Sequence, residues 1–182
     1  MSVDPLSMVP TRRLLAWLWG PFSGIGLGVA LATCVIDQAH KWWMLLVYGI
    51  ADKGRVPVLP FLDLVFVKNI GISYGMLSQD SAFGQRLLAA FAVLTSFALS
   101  VWLARGANNR LMAVSLGLII GGAVGNAIDR ILIGGVADFF SLHAFGFYWY
   151  VFNIADVAIV AGVAGLLYES FVSSRNDVSK PM

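Results

Sequence analysis

The sequence predicts an all-α integral membrane protein: four transmembrane helices, with a small extracytoplasmic β-sheet between the first and second. Three observations predict it. Hydrophobic residues make up 59% of the 182 residues and charged residues only 12%, where soluble domains carry about 25% charge. Uncharged apolar runs of membrane-spanning length recur along the chain, and one stretch between them carries prolines and β-branched and aromatic residues instead. A surface so poor in charge cannot stay wetted, so lipid must cover much of it. The length suits a single domain, taken as residues 1–182. A net charge of +2 is too small to point to nucleic acid.

A span needs about 20 mostly apolar residues. The first, 14–36, has no charge between Arg13 and Asp37. Its apolar run is longer than the roughly 7–15 residues of a cleaved secretory signal, so it reads as a retained helix. Leu31-Ala32-Thr33-Cys34 imitates the signal for lipid attachment to a cysteine, but Thr33 stands where Gly or Ala is usual. Cys34 therefore reads as a small buried hydrophobe. Residues 56–79 read as the β-rich segment: Pro57 and Pro60 break helix, Phe61 to Lys68 favours strand, and Asn69 and Gly71 mark its end. Asp80 or Ser81 suits the cap of the second span, 87–104. A short link leads to the third span, 111–128. Tyr148-Trp149-Tyr150 then reads as an interfacial aromatic belt ahead of the fourth span, 152–172, which holds Asp156 one turn inside its start. Residues 173–182 read as a disordered polar tail.

Four spans put both termini on one side. Each side carries six cations, but the terminal side packs its six into 29 residues and the other spreads them over 74. The acids divide three against seven. Positive charge density thus places both termini in the cytoplasm.

Nine of the ten acids are Asp, which points to placed carboxylates rather than a solvated surface. A charge at the centre of a span costs about 2.5–3.5 kcal/mol or more, so such residues persist where they act. Asp37, Lys41, Asp129, Arg130, Asp138 and Asp156 all fall at the same membrane face. Asp37 and Lys41, four apart, form a structural ion pair. Asn69 offers an amide donor and acceptor to a peptide backbone, and Gly71 allows close approach of another chain. Gly121 and Gly125 make a small-residue packing stripe, and Asn126 shares a face with Arg130. Asp138 and Asp156 each sit among apolar neighbours. Two such carboxylates brought together repel, share a proton, and divide into a base toward water and an acid toward a carbonyl. Asp129 is followed by Arg130, which would hold it ionised in a supporting role. The single cysteine and the distant His40 and His143 form no cluster with metal-ligand spacing, so neither a metal nor a cofactor is expected.

These motifs resemble those of the lipoprotein signal peptidases, the type II signal peptidases of bacteria. The matching residues are Asp37-Gln38-x-x-Lys41, Asn69-x-Gly71, Gly121-Gly122-Ala123 through Gly125-Asn126-x-x-Asp129-Arg130, Val136-x-Asp138-Phe139 and Phe152-Asn153-x-Ala155-Asp156, in family order. One departs from it: Ile72-Ser73-Tyr74 stands where Ala-Ala-Phe is usual. The resemblance implies an aspartyl endopeptidase of the bacterial cytoplasmic (inner) membrane. It would cut the signal peptide from prolipoproteins just before a diacylglyceryl-modified cysteine, with membrane lipids and globomycin-type inhibitors as further partners. It puts the catalytic pair on Asp138 and Asp156, and polar residues of the substrate site on Asn69, Gly71, Asn126, Arg130 and Asn153. The rival readings are a proton-coupled transporter or channel, which would spread acids through the bilayer depth, and a non-enzymatic assembly protein held by its glycines.

Overall fold

The computed structural model describes residues 18–71 and 81–178, with side chains through Val172. Residues 14–17 of the first expected span, Ile72-Ser73-Tyr74 and Asp80 lie outside them.

The first described helix, α1 (Ser23–Trp42), passes Asp37 and Lys41 without ending. Their opposite charges meet at 2.8 Å inside the helix, so the first acid does not have to reach water. A π-helical turn (Trp43–Val47) follows, and Gly49, left-handed at φ 65°, turns the chain into the one-turn helix α2 (Ile50–Lys53). Strands β1 (Val56–Leu59) and β2 (Leu62–Asn69) form a hairpin. Helix α3 (Ala82–Gly106) begins at a cap in which Ser81 Oγ accepts from the Gly84 amide at 3.0 Å. Helix α4 (Arg110–Leu132) is capped the same way by Asn109, which accepts from the Met112 amide at 2.9 Å. Strands β3 (Val136–Ala144) and β4 (Phe147–Phe152) lead into α5 (Ile154–Val178). That last helix runs on into the segment expected to be a disordered tail.

Three of these helices are long and apolar enough to cross a membrane: α3, α4 and the Ile154–Val172 stretch of α5. They make this a membrane protein. α4 is the central helix, with 56% of its apolar window buried inside the protein against 17% for α3 and for α5. α1 packs along α4, and its described part carries Asp37 and Lys41 in its last turns. The glycine stripe sets this approach. A Cβ on Gly121 would strike the backbone of Ala30, one on Gly125 the carboxylate of Asp37, and one on Gly122 the backbone of Ala155 in α5.

The sheet is larger than the sequence implied. It is a four-stranded antiparallel sheet in the order β1-β2-β3-β4, and half of it comes from the connection between α4 and α5. That connection had no strand assigned because its run of hydrophobic and aromatic residues does not alternate simply. Here Ala137 and Phe139 pack with Met44 and Ile50 beneath the sheet. Asp138, between them, therefore faces the other way.

Candidate functional site

Strand pairing sets the first half of the site. Asp138 lies opposite Val67 and Asn69 opposite Val136, so Asp138 and Asn69 are diagonal neighbours on one face. Asn69 Nδ2 donates to Asp138 Oδ2 at 3.1 Å, and Asn69 Oδ1 accepts from the Gly71 amide at 3.0 Å. Gln85 of α3 supports the same turn by donating to the Ile70 carbonyl at 2.6 Å.

Helix capping sets the second half. Asn153 precedes α5, and its Oδ1 accepts from the Asp156 amide at 3.0 Å. Asp156 Oδ2 accepts in return from the Asn153 amide at 3.2 Å. This reciprocal cap fixes the aspartate at the positive end of the helix dipole. The Asn153 side chain then reaches the other carboxylate, donating to Asp138 Oδ1 at 2.6 Å. A single buried asparagine thus touches both aspartates, 18 positions apart in sequence. Asn126 of α4 completes the centre: it donates to Asp156 Oδ1 at 3.0 Å and accepts from Asn153 Nδ2 at 3.2 Å. Arg130 does not pair with either carboxylate; it donates to the carbonyls of Asn126 (3.1 Å) and Gly71 (3.0 Å).

Beneath these lies a second cluster. Buried Lys41 sits 2.8 Å from Asp37 and 2.8 Å from Asp129, and donates to Asn126 Oδ1 at 3.0 Å. Gln38 donates to Asp129 Oδ1 at 2.8 Å. Asp37 accepts from the Ala155 amide and Asp129 from the Ala137 amide, both at 3.0 Å. The cation expected to hold Asp129 was Arg130, its sequence neighbour. The structure gives that place to Lys41, because successive residues on a helix point about 100° apart and do not face each other. Asp37, Lys41, Asp129, Arg130, Asp138 and Asp156 come together in the folded chain, from α1, α4, α5 and β3; α3 brings Gln85 rather than an ionised group. Gln38, Gln85 and Tyr150 belong to the network and were not expected from sequence to be site residues. Only the motif position of Gln38 and the polar character of Gln85 inside an apolar helix offered a signal.

Burial, then the charge of Asp156, push the Asp138 carboxyl up to about 7, against the pull of donors Asn69 and Asn153. Two clefts open on the pair. A groove of about 750 Å³ runs beside α5, lined by Asp156, Val157, Val160, Ala164, Trp149 and Phe152 among others. A smaller cleft of about 390 Å³ is lined by residues 67–71 with Asp138, Tyr150 and Val151. An apolar groove ending on carboxylates can bind a greasy chain and present a polar bond to them.

His40 packs against Phe139 and Phe140, away from the carboxylates. His143 belongs to a separate cluster across the sheet, 3.2 Å from Asp63, whose other oxygen accepts from Arg55 at 3.0 Å. These donors, Arg55 first, hold the Asp63 carboxyl below its ordinary value.

Carboxylates held by amides where membrane-length helices meet the sheet define a membrane protein with a buried acidic centre. Comparison with known proteins specifies it further. The family described as Signal peptidase (SPase) II matches residues 29–172, and the chain belongs to that family of peptidases. The lipoprotein signal peptidase of Methylobacterium sp. (strain 4-46) is 51% identical over 85% of this chain and 94% of its own. That of Rhodopseudomonas palustris (strain ATCC BAA-98 / CGA009) is 51% identical over 81% and 92%. A solved bacterial membrane enzyme, determined by the in meso method at 2.3 Å, is 28% identical with a TM-score of 0.72 over 87% of this chain and 94% of its own. Another, at 1.9 Å, is 30% identical with a TM-score of 0.68 over 80% and 92%.

Proposed function

We propose that this peptidase is of the aspartic type, with Asp138 and Asp156 as its catalytic pair, and that it removes signal peptides from prolipoproteins. The observation that carries the reading is the contact of Asn153 with both aspartates, which joins them in one amide-lined centre with no cation between them among the described residues. Asp138, with its raised affinity for a proton, is the acid. Asp156, stabilised as an anion by the start of α5 and by the Asn126 amide, is the base. Asp156 takes a proton from water as its oxygen attacks the scissile carbonyl carbon. Asp138 gives its proton to the carbonyl oxygen. The tetrahedral intermediate collapses when the proton on Asp156 passes to the leaving amine, and Asp138 regains the other from the intermediate's hydroxyl. Neither a metal nor a covalent enzyme intermediate enters these steps.

The two clefts support a substrate carrying both a peptide and a greasy portion. The apolar groove suits acyl chains of a diacylglyceryl-modified cysteine, with cleavage just before that residue, and membrane lipids and globomycin-type inhibitors would meet the same surface. Asn69, Gly71, Asn126, Arg130 and Asn153 surround the peptide; Asp37, Lys41, Asp129, Gly121 and Gly125 hold the frame. In this reading the apolar run 14–36, which holds most of α1, is a fourth span. Both termini face the cytoplasm of a bacterial inner membrane and the sheet lies on the opposite face, following the density of positive charge. A proton-coupled transporter is disfavoured by the collection of acids in one layer. The test is processing of a lipidated precursor by the purified protein beside its unlipidated form. Cleavage before the modified cysteine, much faster than for the unlipidated chain, is expected; equal rates would remove the lipid from the recognition.

A further inference from the structure

Resting on that assignment of the aspartates, we propose that Tyr150 is a positioning residue of the active site, acting on Asp138 through Asn69. Its phenol oxygen accepts a hydrogen bond from Asn69 Nδ2 at 2.7 Å. The same nitrogen gives its other hydrogen to Asp138 Oδ2 at 3.1 Å. Meanwhile Asn69 Oδ1 is held by the Gly71 amide at 3.0 Å. An amide has two donors and one acceptor oxygen, so these three bonds settle which atom is which and fix the plane of the group. Without the phenol oxygen, one N–H of a half-buried amide loses its acceptor and the amide is free to tilt away from Asp138.

Tyr150 is well placed for this. It sits on β4, one strand from Asp138, and it lines both the apolar groove and the Asn69–Gly71 cleft. A chain reaching from one cleft into the other crosses its ring. Asp138 on β3, Asp156 on α5 and Arg130 on α4 are the charged groups near enough to act on the hydroxyl. Burial and the two carboxylates hold its proton more tightly than in free tyrosine, so it meets Asn69 as a neutral phenol. An interfacial anchor, the reading its sequence invites, would need only the ring.

Tyr150→Phe keeps the ring and removes the oxygen. With a diacylglyceryl-modified precursor and the full chain in detergent, we expect kcat to fall about tenfold, the worth of one hydrogen bond to an ionisable group. KM should stay within about twofold. Combining the change with Asn69→Ala should give a protein no slower than Asn69→Ala alone, since both act through one amide. Wild-type kcat in Tyr150→Phe, or additive losses in the double variant, would overturn the inference. Where Tyr150→Phe lowers the folded yield, kcat is counted per folded molecule: a fall of about tenfold supports the role, and a value equal to wild type refutes it. Asp138→Asn, run alongside, separates the two readings. If it still cleaves, the catalytic pair is misassigned; if it is inactive while the double variant is additive, only the role of Tyr150 falls.

Discussion

Two pairs of aspartates lie within one polar centre and differ in what neutralises them. Asp37 and Asp129 flank the buried ammonium of Lys41 at 2.8 Å each. Asp138 and Asp156 meet amides from Asn69, Asn126 and Asn153, and no described cation contacts either. An ammonium shared by two carboxylates ties their helices together, so the first pair serves as a brace across α1 and α4. Amides satisfy hydrogen bonds without fixing the charge, which leaves the second pair able to take up and give back a proton. On the proposed assignment, the difference teaches that the partner of a buried acid, more than its burial, separates structural from chemical roles.

The comparison breaks most directly at the second pair. Asp138→Asn and Asp156→Asn, nearly isosteric with the native residues, should each lower turnover of a lipidated precursor by several orders of magnitude while the protein stays folded, as judged by its thermal transition in detergent. Retained cleavage in either would return the assignment to Asp129.

Asp129→Asn should do the reverse. It leaves Lys41 with one carboxylate in a buried site, and breaking a buried pair costs about 3–5 kcal/mol. Expression and unfolding temperature should fall markedly, with turnover per folded molecule falling less. A folded, inactive Asp129→Asn protein would erase the distinction between the pairs.

The pH dependence sharpens it. Asp138 holds its proton up to about 7, so turnover should decline as pH rises through that value and the acid is lost. Stability follows the same sign. The native state keeps this proton where an unfolded Asp, with a pKa of about 3.9, has released it. The contribution is therefore full below the unfolded value and disappears as pH rises through about 7. In Asp138→Asn, thermal unfolding measured between about pH 5 and about pH 8 should be the flatter of the two.

The smallest effect is expected from chelation. Among the described residues no group of three or more His, Cys, Asp or Glu could hold a metal ion, and the proposed steps use none, so cleavage should be unchanged by a chelator. Loss of activity restored by zinc would end the two-carboxylate mechanism.

The sequence by itself determined the membrane character, because apolar run length and scarcity of charge act locally and need no partner. It likewise determined which residues would converge, since acids at the ends of apolar runs have few places to go. It offered Ser81 as a cap of α3, which the structure bears out, as short-range hydrogen bonds allow. It did not determine the sheet: β3 and β4 are an unbroken apolar and aromatic run whose strands exist only through pairing with β2 and packing on Met44 and Ile50. It also could not choose the partner of Asp129, because neighbours in sequence point apart on a helix while Lys41, 88 positions away, points in. Nor could it turn Tyr150 inward, for an aromatic ring near a membrane reads alike whether it faces lipid or an asparagine. Those choices belong to strand register and helix packing, which tie together residues far apart in the chain and so exist only in the folded molecule.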